Sequence, residues 1–231
     1  GGTRHGRQRV GDNSPLSYYH RAGPLGDAFA AYRPRRVGIV GLGAGAAAAY
    51  LESGSTVRFF EIDPVVVDLA RRHFGYISLD EDATEVVVGD ARLALARELR
   101  ESRATYDLLL IDAFAGDAIP THLLTREALS LYIDRISDHG VVLLHVSNRY
   151  YELRPVLFAI ADSLGLAAVQ RERVQDLALD EDPSRYVAIA RRASELEPLL
   201  EAGWTAGAEF LSGGTVWTDD HTNPLVALDL R

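Results

Sequence analysis

The chain has 231 residues, enough for one domain with a full core, and its 33 acidic against 24 basic residues give a net charge of −9. That balance argues against general nucleic-acid binding, which needs a basic surface. Cysteine is absent and all 24 basic residues are arginine, which excludes disulfides, thiolate nucleophiles, Cys-ligated zinc, a Schiff-base lysine and a P-loop lysine.

Hydrophobic residues at 47% and a mean hydropathy of −0.03 fit a soluble globular protein. The longest uncharged apolar run, Val37 to Leu51, is too short and too glycine-rich to span a bilayer, and no signal-peptide pattern opens the chain. Methionine is missing even at position 1, which points to numbering that starts inside a longer or processed chain.

Residues 1–35 are polar and turn-rich, with His5-Gly-Arg-Gln8, Ser17-Tyr-Tyr-His20 and Gly23-Pro-Leu-Gly26. They read as a β-hairpin or lid segment ahead of a Rossmann-type domain over 36–231. That domain opens on Val37-Gly-Ile-Val40, a buried strand, followed by Gly41, Gly43 and Gly45 and by a small-residue run, Ala46 to Ala49, suited to start a helix. Glycine at these positions lets a nucleotide lie against the backbone. The next strand, Thr56 to Phe60, ends on Glu61, sixteen residues beyond Gly45, near the spacing at which a carboxylate takes a ribose diol.

Asp63-Pro64 starts a helix with a capping acid and proline at its first position, and Val66, Ala70 and Phe74 mark its expected buried face. Glu85 to Val88 is a third strand, ending at Gly89-Asp90-Ala91, and Leu95 and Leu99 mark the helix after it. Asp90 suits both a helix cap and a carboxylate facing an adenine amino group. The fourth strand, Tyr106 to Ile111, is apolar enough for burial on both faces and ends on Asp112. A loop carrying Asp117 and a helix from about Thr121 to Ser137 follow.

Val141 to His145 is the fifth strand. The helix from Glu152 to Leu164 carries Leu157, Ile160, Ala161 and Leu164 on one side. Strands are expected at Leu166–Val174 and Arg185–Ala190, a short helix from Ser194, and a last apolar strand at Leu225–Leu228. The sum is an α/β fold: a seven-stranded, mostly parallel sheet with helices on both faces. The strand after Asp180 and the last strand are expected to form its antiparallel edge. Ligands in such sheets bind beyond the carboxyl ends of the strands, where Gly41 to Gly45, Glu61, Asp90 and Asp112 all fall. Asp219 and Asp220 either close over a cationic substrate or are solvated turn residues.

These segments resemble the spermidine synthase family (polyamine aminopropyltransferases), which shares the class I methyltransferase fold, and in particular its spermidine synthase-like branch, often fused to membrane segments. The resemblance is carried by His5-Gly-Arg-Gln8, Tyr18-Tyr-His20, Gly41-Leu-Gly-Ala-Gly45, Phe60-Glu-Ile-Asp63, Gly89-Asp-Ala91, and Asp112 with Asp117. It implies a decarboxylated S-adenosylmethionine co-substrate, no metal, and an aminopropyl group transferred to a polyamine-type amine. Asp112 and Tyr19 would be the catalytic residues, Asp112 as the base. Gln8, Glu61, Ile62, Asp90 and Ala91 would hold the donor, and Tyr18, His20 and Asp117 would border the amine. Ala44 stands where the family usually has an aspartate, and Arg21 where it usually has a glutamate. Ala44 equally suits intact S-adenosylmethionine, so a methyltransferase is the alternative. A non-catalytic nucleoside- or polyamine-binding domain of a membrane protein is another, and an NAD-dependent oxidoreductase a weaker one. The expected partners are a small amine and a second copy of the chain, in the cytoplasm, with no nucleic acid and no membrane contact by this segment.

Overall fold

The computed structural model describes residues 14–77, 82–113, 120–148, 150–174, 182–210 and 214–228. Seven strands form one sheet: β1 (Arg36–Val40), β2 (Thr56–Glu61), β3 (Thr84–Val88), β4 (Tyr106–Ile111), β5 (Ile136–His145), β6 (Ala167–Arg173) and β7 (Ser184–Ala190). Their order is β3-β2-β1-β4-β5-β7-β6. The first five run parallel, and β7 is antiparallel to both β5 and β6. The strand order turns back between β1 and β4, so the carboxyl ends of β1 and β4 flank a crevice.

Alternation along the strands divides the core into two layers. Leu108 and Leu110 of β4 join one buried cluster with Leu25 and Phe29 of α1 (Pro24–Tyr32), Val67 and Ala70 of α2 (Pro64–His73) and Leu199 of α6 (Glu197–Glu201). Leu109 and Ile111 face the other cluster, with Leu95 of α3 (Ala91–Arg100), Leu129 of α4 (Arg126–Arg135) and Leu157 of α5 (Arg154–Ser163). Helices thus cover both faces. No helix among the described residues is long and apolar enough to cross a membrane.

In the described part of the 1–35 segment, Ser17–Tyr19 is a 3-10 turn and α1 follows, started by Pro24, whose fixed φ favours a first helical position; the rest of the expected hairpin or lid, residues 1–13, lies outside the described residues. Several other expectations are corrected. The run after Gly45 is a five-residue 3-10 segment, Ala46–Tyr50, and not a full helix; its alanines, other than the half-buried Ala49, pack directly into the core. The helix expected over Thr121–Ser137 is split by Thr125, whose hydroxyl accepts from the Ala128 amide and starts α4 afresh. Leu225–Leu228 is not a strand. Pro224 removes a ladder donor, Asn223 caps a 3-10 turn over Pro224–Ala227, and Leu225 and Val226 lie exposed. The antiparallel edge is formed instead by β7 and by β6, the strand expected at Leu166–Val174.

The expected face of α2 does pack inward: Ala70 is buried, with Val67 beside it, and Val66 and Phe74 lie half-buried against the same cluster. The α3 face differs from expectation: Leu99 is exposed, and Glu98 takes the inward position. Its carboxylate accepts from the Tyr106 hydroxyl at 2.9 Å and from Arg135 Nη2 at 3.0 Å, and pairs with Arg58 Nε at 2.8 Å.

Candidate active site

The glycine turn is shaped by what lies behind it. Gly41 has a φ of +94° and gives its amide hydrogen to the Phe60 carbonyl at 2.8 Å. A Cβ there would lie 2.9 Å from the carbonyl carbon of Asp112 and closer still to its oxygen, so only glycine lets β1 turn this tightly against the end of β4. Gly43 and Gly45 also have positive φ, +52° and +80°.

Glu61 closes the turn from the β2 side. One carboxylate oxygen accepts from the Leu42 amide at 2.9 Å and the other from the Asp63 amide at 3.0 Å. The side chain is buried and aimed, and each oxygen retains a lone pair. Ile62 beside it is 68% exposed, an apolar surface next to the crevice. Asp90 caps α3, accepting from the Leu93 amide at 2.9 Å, while its second oxygen lies 3.4 Å from His122 Nε2; Ala91 starts the helix, buried. Glu61 and Asp90 therefore end adjacent strands, β2 and β3.

Asp112 follows β4, its amide bonded to the Val40 carbonyl at 2.8 Å. Its carboxylate accepts from the Tyr19 hydroxyl on one oxygen, and the other lies 2.7 Å from His145 Nδ1. The side chain is only 6% exposed. Tyr19 is held in turn by Tyr50, whose hydroxyl donates to the Tyr19 carbonyl at 2.6 Å. Tyr18 and Tyr186 each stack on the His145 ring, with centroids 4.8 and 4.6 Å away. Burial, and then the Asp112 charge, pushes the phenols of Tyr18 and Tyr19 well above the usual tyrosine range, so both stay neutral and Tyr19 keeps the proton it donates to Asp112.

The other expected residues are dispersed. His20 is half-buried, and its Nδ1 accepts from the Ala22 amide at 3.1 Å, closing its own turn. Asp219 does not stand free for a cationic substrate: Arg92 grips both its oxygens at 2.7 and 2.5 Å, and the Thr125 hydroxyl donates to it at 2.7 Å. Asp220 is exposed in the turn closed by Thr218 and His221. Gln8 and Asp117 lie outside the described residues.

Sequence reasoning missed His145, Ser147, Tyr186 and Arg92 as parts of the site or its rim. The signal for His145 was present: it is the polar last residue of an apolar strand, the same placement that marked Asp112. A cavity of about 310 Å³ lined by Arg36, Arg58, Glu85 and Arg103 lies at the opposite ends of the strands, away from this chemistry.

No family model matches the chain. A polyamine aminopropyltransferase of Vibrio vulnificus is 40% identical over 114 residues, covering 48% of this chain and 37% of that protein. The chain resembles the polyamine aminopropyltransferases. The aligned stretch spans little more than a third of that relative's length. Among solved structures, a probable spermidine synthase from Corynebacterium glutamicum superposes with a TM-score of 0.65 at 18% identity, covering 92% of this chain and 84% of that one. Human methyltransferase-like protein 13, solved in complex with SAH, gives 0.58 at 20% identity over 85% and 90%. These neighbours establish the class I methyltransferase-like fold.

Proposed function

We propose that the protein is a transferase that moves an aminopropyl group from decarboxylated S-adenosylmethionine to a polyamine-type amine, with Asp112 as the base. The observation that carries this reading is the Asp112 carboxylate, buried at the end of β4, against the glycine turn and held by Tyr19 and His145. A carboxylate offers about four acceptor positions, so two remain for an incoming cation.

In this reading Gly41, Gly43 and Gly45 leave room for the nucleoside, Glu61 takes the ribose hydroxyls beside Ile62, and Asp90 with Ala91 meets the adenine. Tyr18 and His20 border the amine, with Gln8 and Asp117 completing the site as the family resemblance implies. The acceptor arrives as an ammonium, since alkyl amines hold their proton to about pH 10. It gives one proton to Asp112. The neutral nitrogen then attacks the carbon beside the sulfonium. A C–N bond forms, the C–S bond breaks, and its electron pair stays on sulfur, leaving methylthioadenosine. Proton transfer contributes about 100- to 10,000-fold, and positioning in a closed site supplies the rest.

The test is incubation with the decarboxylated donor and a panel of amines. Methylthioadenosine is expected from at least one pair, falling about 100-fold or more in Asp112→Asn while donor binding persists. No methylthioadenosine from any pair refutes the reading. Ala44 favours one competitor, a methyltransferase using intact S-adenosylmethionine: it is buried and brings no carboxylate to the glycine turn. Calorimetric preference for S-adenosylhomocysteine over methylthioadenosine would select that competitor.

A further inference from the structure

Beyond the base itself, the hydrogen bonds behind Asp112 form a chain whose direction can be worked out donor by donor. It begins where β5 and β7 part. Their antiparallel ladder reaches the Val146 amide, which donates to the Arg185 carbonyl at 2.8 Å. The next rung uses a side chain: the Arg185 amide donates to the Ser147 hydroxyl oxygen, also at 2.8 Å. Ser147 is thereby fixed as an extension of the sheet.

An amide nitrogen can only donate, so the Ser147 oxygen is the acceptor in that bond. The hydroxyl has one hydrogen left to give, and its oxygen lies 2.7 Å from His145 Nε2. That oxygen keeps a second lone pair, so the direction is set from the other end: the Asp112 carboxylate can only accept, which puts the imidazole proton on Nδ1, and in the neutral ring Nε2 then accepts the Ser147 hydrogen. Nδ1 is 2.7 Å from Asp112. The stacked rings of Tyr18 and Tyr186 hold the imidazole plane, and the two hydrogen bonds select which way round it sits.

We infer that Ser147 and His145 are positioning residues that fix the His145 proton on Nδ1 and so aim the Asp112 carboxylate at the acceptor amine. A neutral imidazole in this tautomer gives a hydrogen bond without adding positive charge. Asp112 then keeps its full attraction for a cationic amine. An imidazolium in the same place would repel that amine and weaken the base. The kinetic part of this inference rests on the aminopropyl-transfer reading above; the tautomer does not.

The experiment has two arms. Nitrogen-15 NMR of the histidines, with the His145 signals assigned by their loss in His145→Asn, reads the tautomer in the wild-type protein. A neutral ring protonated on Nδ1 is expected. A ring protonated on Nε2 alone, or on both nitrogens, overturns the inference, whatever reaction the protein performs. In Ser147→Ala the same signals are expected to move toward a mixture of tautomers; unchanged signals count against the role of Ser147.

The second arm measures transfer. His145→Leu is expected to lower kcat about 100-fold with the donor KM within about twofold, because a misaimed base costs turnover and not nucleoside binding. His145→Asn, whose amide N–H can take the place of Nδ1–H, is expected to recover about tenfold of that loss. Equal losses in the Leu and Asn variants would overturn the positioning role. If the wild type transfers no aminopropyl group, the proposed function fails on that result, while the NMR arm still decides the tautomer.

Discussion

Replacing Gly41 by alanine perturbs the turn and Asp112 together, and the cost can be worked from two terms. A φ of +94° is foreign to alanine, and such strain costs about 1–3 kcal/mol. The new methyl would also press on the Asp112 carbonyl, with its carbon only 2.9 Å away, and forced overpacking of this kind adds about 1–3 kcal/mol. The total is about 2–6 kcal/mol. For a domain of this size that corresponds to a Tm lower by roughly 4–24 °C. Gly54 supplies the control. It has a similar φ of +80°, but an added Cβ meets only Arg35 Nη1, at 3.7 Å. Gly54→Ala carries the first term alone. Urea unfolding of the two variants should therefore differ by about 1–3 kcal/mol, with Gly41→Ala the less stable. Equal losses would show that the contact with Asp112 is not what demands glycine at position 41.

Two further predictions concern buried charge. Glu98 and Arg135 are 2% and 1% exposed, so Glu98→Ala strands a buried guanidinium and should cost about 3–5 kcal/mol in urea unfolding; a loss under about 1 kcal/mol would contradict the ion pair's burial. Burial raises the phenols of Tyr18, Tyr19, Tyr32, Tyr106, Tyr132 and Tyr186 above their usual value of 10.0. Their contribution to stability is therefore complete below about pH 10 and is lost as pH climbs toward the folded-state values. Tyrosinate absorbance and circular dichroism should change together in an alkaline titration, and six tyrosines ionising near pH 10 in a protein with native dichroism would refute this.

Much of the fold was legible because local chemistry and tertiary packing agree. The apolar run Tyr106–Ile111 is a strand to the residue, and Asp63-Pro64 starts α2, with the aspartate accepting from the Val65 amide at 2.8 Å. The acids at 61, 90 and 112 stand at strand ends because a strand's alternation and its terminal polar residue are both local signals. What escaped depends on distant partners. Tyr19 reaches Asp112 across 93 residues, and Arg92 reaches Asp219 across 127, so neither pairing leaves a mark in either neighbourhood. Leu225–Leu228 has the composition of a strand, yet among the described residues its strand-type pairing is one bridge between Leu228 and Tyr151. His145 was visible as a residue but not as a contributor, because its role needs β7 beside β5.

That last strand to join has a temporal meaning. β7 slots between β5 and β6 although it is made after both. Until residue 190 has left the ribosome, β5 presents an apolar rim of Val142 and Leu144 with unpaired amides, the kind of border on which nascent chains stick to one another. A chaperone binding there would delay assembly of the pocket without touching any of the acids. Fragments that stop before residue 184 should therefore aggregate, even though the strand ends carrying Gly41, Glu61, Asp90 and Asp112 are already present in them.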